Sequence, residues 1–144
     1  MNINISPEEV PHNYTMCVYN ECPLAENCLR RLAFDCQPET EVSLKVINPK
    51  CISPSADGCS HYRPAKKLRY AKGFVNILES LPKKVWKAVG YKLQLLFHGR
   101  TYYRVRKGER LLSPQEQQAI IYLLKEGGMT EIPDFDAYVE DYAW

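Results

Sequence analysis

No cysteine occurs after Cys59, and nowhere does the chain contain a Cys-x2-Cys pair. It also lacks a His-Glu-x-x-His run, a glycine-rich phosphate loop and a Gly-x-Ser-x-Gly elbow. These absences remove the standard zinc-finger spacing, the zincin hydrolases, the P-loop nucleotide enzymes and the α/β-hydrolases. The three histidines, His12, His61 and His98, are isolated from one another. No catalytic constellation is visible, and the expectation is a protein that is not an enzyme. Apolar runs extend only a few residues, too short for a helix to cross a bilayer. The opening stretch, "MNINISPEEVPHNYTM", has acidic residues and no apolar segment of signal-peptide type. A cytoplasmic location follows as the expectation, and there cysteine thiols stay reduced.

All six cysteines fall between Cys17 and Cys59, in the order C-x4-C-x5-C-x7-C-x14-C-x7-C. In a reduced protein such a density points to thiolates that bind a metal, since a small segment short of core gains folding free energy from the ion. The preferred ligand set is Cys17, Cys22, Cys28 and Cys59, with His61 in reserve. Cys22 stands at the start of a predicted helix, where the dipole favours a thiolate. Cys36 and Cys51 are buried small side chains or substitutes. Zinc is the preferred occupant. An iron–sulfur cluster, metal-free thiols and disulfides are the alternatives.

The net charge of +2 conceals a strong asymmetry. Residues 63–110 hold 14 basic and 2 acidic side chains, whereas residues 1–62 hold 4 and 8, and residues 111–144 hold 1 and 7. A field of that sign and density favours a polyanion, nucleic acid above all, and an acidic protein partner as the alternative. The chain divides near residues 61–67 into a Cys-rich segment, 1–64, and a basic helical domain with an acidic C-terminal tail, 65–144.

Local patterns give the coarse elements. "CPLAENCLRRLAF" (22–34) reads as a helix with Pro23 at its first position, and "EVSLKVINP" (41–49) as a half-buried strand. Phe74, Ile77, Leu78 and Leu81 form one helical stripe. Val85, Trp86, Val89, Leu93 and Leu96 form the inward face of the next helix, which begins at Pro82. Ser113-Pro114-Gln115-Glu116 has the makings of a capping box, opening a helix that runs to Gly127. Phe135, Tyr138 and Tyr142 suggest a last helix over 134–143. Residues 100–112 fit either a hairpin turning at Lys107-Gly108 or a two-turn helix ended by Gly108.

"GRTYYRVRKGERLLSPQEQQAIIYLL" resembles the helix-turn-helix of phage-repressor and LacI-type regulators. Thr101, Tyr102, Tyr103, Arg104, Lys107, Gly108, Ser113, Pro114 and Glu116 carry the likeness, with residues 85–97 as the preceding helix. The resemblance implies a reading helix in the major groove of duplex DNA. Arg100, Tyr102, Arg104, Arg106, Lys107 and Arg110 then contact nucleic acid, while Tyr103 and Val105 face the core. The whole chain also resembles an uncharacterised family of small Cys-rich proteins from gut bacteria, through "VPHNYTMC", "CPLAENCLR", "YYRVRKGERLLSP" and "FDAYVEDYAW". The expected fold is mainly α: a small irregular Cys-rich segment, with one helix and one or two short strands, packed on a helical domain with a candidate helix-turn-helix. The expected function is that of a DNA-binding regulator with a structural metal site. The rivals are a protein-interaction adaptor and an iron–sulfur or redox sensor.

Overall fold

A computed structural model describes residues 3–53, 55 and 57–144 of the chain. Among the described residues, five α-helices and a small two-stranded antiparallel sheet make the protein mainly α. No helix among them is long and apolar enough to cross a membrane. The chain forms two compact units. The first comprises Met1–Lys66 with Tyr142–Trp144, and the second comprises Lys67–Asp141.

In the first unit the only α-helix among the described residues, α1, is Leu29–Asp35. It is shorter than the helix expected over 22–34. Residues Ala25–Asn27 form a 3-10 turn instead, and Cys28 is extended. The reason lies in tertiary pairing. Leu29 N–H donates to the Arg63 carbonyl at 2.8 Å and Ala65 N–H to the Asn27 carbonyl at 2.9 Å, so this backbone is committed to a bridge with residues 63–65. Cys22 therefore does not sit at a helix start. The strand expected over 41–49 reduces to one parallel bridge, Met16 with Val46, and Val42 is 98% exposed. A strand needs a neighbour along its length, and here only one residue pair supplies it. The apolar cluster of this unit is small: Ile5, Leu29 and Tyr142, fringed by Val10, Leu32, Cys36 and Trp144.

The second unit has a larger core, built from strand β1 (Lys67–Lys72) and helices α2 (Val75–Ser80), α3 (Lys83–Leu96), α4 (Arg100–Lys107) and α5 (Pro114–Glu126). Val85, Val89 and Leu93 point inward from α3 as their spacing dictates. Trp86 and Leu96, both expected inward, are 40% and 38% exposed: Leu96 is the last residue of α3, and the Trp86 indole covers Gly90, so a methyl group there would lie about 3.0 Å from the ring. Residues 100–107 are helical, which excludes the hairpin. Gly108 takes φ +86° and closes α4, its N–H reaching back to the Arg104 and Val105 carbonyls. At α5 the capping box is complete: Glu116 N–H donates to Ser113 Oγ at 3.2 Å, and Ser113 N–H to Glu116 Oε2 at 2.9 Å. The helix expected over 134–143 is instead strand β2, Ala137–Tyr142, paired with β1. Cross-strand contact overrides the helical spacing of its aromatic residues: the Arg69 guanidinium lies 3.7 Å from the Tyr138 ring centroid. Ahead of β2, the Asp136 carboxylate accepts from Val75 N–H and Asn76 N–H at 2.9 and 2.8 Å, satisfying the first donors of α2.

Candidate functional site

Most of the ligand-type side chains of the first unit gather at one small cavity. Cys17, Cys22, Cys28, Cys59 and His61 all line one small cavity of about 20 Å³, and Arg30 lines it with them. Three segments of the chain supply the ligand-type side chains. Cys17 and Cys22 come from the loop before α1, Cys28 is the residue that starts α1, and Cys59 and His61 come from the turn before residue 64. The structure thus brings together the four cysteines singled out by spacing and the reserve histidine. Cys36 and Cys51 stand elsewhere. Cys36 belongs to the apolar cluster, its thiol donates to the Ala33 carbonyl at 3.2 Å, and burial pushes its pKa up. Cys51 is exposed.

Hydrogen bonds from α1 hold the cysteine-bearing loops in register. Arg30 Nε donates to the His61 carbonyl at 2.9 Å and Arg30 Nη1 to the Thr15 carbonyl at 2.6 Å. Cys17 N–H donates to the Arg30 carbonyl at 3.0 Å. Arg31 Nη1 donates to the Tyr19 carbonyl and to Asn20 Oδ1, both at 3.1 Å. Two adjacent arginines therefore fasten the segments around Cys17, Cys22 and His61 to the helix that Cys28 begins. Sequence spacing has no access to this role. A Cys-x-Arg-Arg run inside a Cys-rich segment is the one hint of it. Among the described residues no three His, Cys, Asp or Glu side chains stand close enough to share a single ion.

In the second unit α3 exposes Lys83, Lys84, Lys87 and Lys92, and α4 carries four further basic residues. Arg100, Tyr103, Arg104 and Lys107 recur at i, i+3, i+4 and i+7, and all four are exposed. Tyr102 and Val105, on the opposite side, are 2% and 0% exposed. The expected assignment of the two tyrosines is therefore reversed. Val105 fixes the inward face, and Tyr102, three residues earlier, shares it, while Tyr103 points out. Tyr102 packs edge-to-face on Phe74 and Tyr103, at 6.0 and 5.3 Å between ring centroids. Arg110 is occupied locally, since its Nη2 pairs with Glu116 Oε1 at 2.9 Å beside the α5 cap. Arg106 is half-buried and lines an open cleft of about 350 Å³ with Lys83, Glu79 and the Trp86 indole over an apolar floor of Val75, Leu78 and Leu81. Helical spacing puts Trp86 in the core, so it gives no sign of this cleft or of Lys83 at its edge.

Residues 1–144 match one family model, described as Family of unknown function (DUF6078). Neither a curated protein nor a solved structure matches. The coarse resemblance to an uncharacterised family thus holds, while the likeness to phage-repressor and LacI-type regulators and a gut-bacterial source find no support.

Proposed function

The chain belongs to that family of unknown function, and we propose that it is a nucleic-acid-binding protein whose second unit lays the outward face of α4 along a phosphate backbone. The observation that carries this reading is the single exposed stripe of Arg100, Tyr103, Arg104 and Lys107, three cations and one aromatic ring within about two turns. Each cation on such a stripe displaces condensed counterions when it meets a phosphate, which supplies affinity without sequence preference. Tyr103 adds a face on which an unpaired base can stack. Lys83 of α3, in the cleft that Arg106 and Glu79 also line, extends the positive surface past α4, and Trp86 in the same cleft offers a second stacking face. Tyr102 takes no part in contact because it is core.

The test is binding of the full chain to a random-sequence duplex and to an oligothymidylate strand across a salt series. Arg104→Ala/Lys107→Ala is expected to lower the log–log salt slope by about 2, one phosphate contact for each cation removed. An unchanged slope in the folded double variant, or no binding at low salt, overturns the reading. In the latter case an acidic protein surface becomes the partner to seek.

A further inference from the structure

The first unit has a chemistry of its own that the basic helix does not use. We propose that it holds one zinc ion through the thiolates of Cys17, Cys22, Cys28 and Cys59. Three independent observations converge on this. Of six cysteines, the cavity takes four, and the two outside it are placed otherwise, one packed in the apolar cluster and one open to solvent. The space is small: about 20 Å³ admits one water-sized body. Charge is also partly compensated. Four thiolates around one divalent ion leave about −2; Arg30 and Arg31 line the same cavity, and Arg31 is shared with Asp35, its Nε 2.9 Å from Asp35 Oδ1.

Binding requires the sulfurs to close to about 3.8 Å from one another, the spacing of a tetrahedron with Zn–S near 2.3 Å. No three of them stand that close in the described structure. Cysteine has a single side-chain torsion, so rotation about Cα–Cβ moves sulfur without moving backbone. The backbone itself is already held by the Arg30 and Arg31 hydrogen bonds to the Thr15, Tyr19 and His61 carbonyls. These arginines are positioning residues in the sense that outer-shell groups orient metal ligands. Ligation of four thiols by the ion releases four protons, one from each sulfur, so uptake weakens as pH falls. His61 lines the cavity but is surplus to a four-thiolate site.

Cobalt(II) reports the ligand set directly. The reduced full chain is titrated with Co2+ without oxygen, and Zn2+ is then added. The expected result is one Co2+ per chain, with tetrahedral d–d bands and strong thiolate-to-cobalt charge transfer, both erased by Zn2+. Cys36→Ser, Cys51→Ser and His61→Ala keep the full spectrum. Cys17→Ser, Cys22→Ser and Cys59→Ser lose it or show reduced charge transfer. Arg30→Ala keeps the four-sulfur spectrum but binds about 10–100-fold more weakly. Absence of Co2+ uptake by the folded wild-type chain overturns the proposal, and that measurement does not depend on any variant folding. Loss of the spectrum in Cys36→Ser or Cys51→Ser, or a brown chromophore after supply of ferrous and ferric iron with sulfide while Co2+ is refused, overturns it as well. Nucleic-acid binding by the basic helix stands or falls separately.

Discussion

Tyr102→Phe is expected to stabilise the second unit. The side chain is 2% exposed, and its hydroxyl has no hydrogen-bond partner among the described residues. A buried hydroxyl without a partner forfeits its hydration and costs about 1–3 kcal/mol. Phenylalanine keeps the ring, and with it the edge-to-face contacts to Phe74 and Tyr103, and removes only the oxygen. The void left behind is one atom wide and takes back part of the gain, which leaves about 1 kcal/mol. For a unit of 60–100 residues that corresponds to a rise in Tm of about 4–8 °C. Far-UV circular dichroism follows the change well, because four of the five α-helices belong to this unit. The contrast is Tyr102→Ala, which empties the ring site and is expected to cost about 3–5 kcal/mol. A lower Tm for Tyr102→Phe would refute the reasoning, since it would mean that the hydroxyl is satisfied, by water or otherwise, and contributes to stability.

The same residue governs behaviour in alkali. Burial raises the pKa of Tyr102, and burial followed by the nearby negative charges of Asp141 and Glu116 raises that of Tyr70. Both are neutral in the folded and unfolded chain below pH ~10, the ordinary tyrosine value. Above it the unfolded chain ionises first and releases more protons. The urea midpoint of the second unit should therefore fall above that pH, by less in Tyr102→Phe. Ser113→Ala removes the acceptor for Glu116 N–H at the start of α5 and is expected to cost about 1 kcal/mol in urea unfolding. Gly108→Ala forces a left-handed residue and sets a methyl group 3.0 Å from Lys72 Cγ, with an expected cost of about 1–2 kcal/mol by the same measurement.

What can be read from the sequence is what depends on near neighbours. The Ser113–Glu116 cap spans four residues and forms as its spelling dictates. The α3 stripe is likewise local, apart from Leu96 at its end and Trp86, whose exposure reflects room over Gly90 that no periodicity reveals. Residues 100–107 are ambiguous as sequence because Thr101, Tyr102, Tyr103 and Val105 favour a strand while the arginines recur at both strand and helix spacing, and the positive φ angles of Gly99 and Gly108 at the two ends belong to the fold. β2 reads wrongly as a helix because Phe135, Tyr138 and Tyr142 have helical spacing, while its partner, β1, lies some 65 residues earlier in the chain. The cysteines are legible by crowding alone. The arginines that hold their loops are not, since a side chain that donates to the carbonyls of Thr15 and His61 leaves no trace in the identity of either residue.

The first unit is discontinuous: Tyr142 completes its apolar cluster, and Trp144 stacks edge-to-face on Tyr14 at 5.2 Å. A ribosome making this chain therefore delivers the cysteine segment first and the residues that seal it last. At about 5–20 residues per second, roughly 4–17 s separate Cys59 from Trp144. All of the second unit, which has a core of its own, is synthesised within that interval. The nascent cysteine loops meanwhile wait with their apolar side unsealed, so the order of birth along the polypeptide runs opposite to the order of completion.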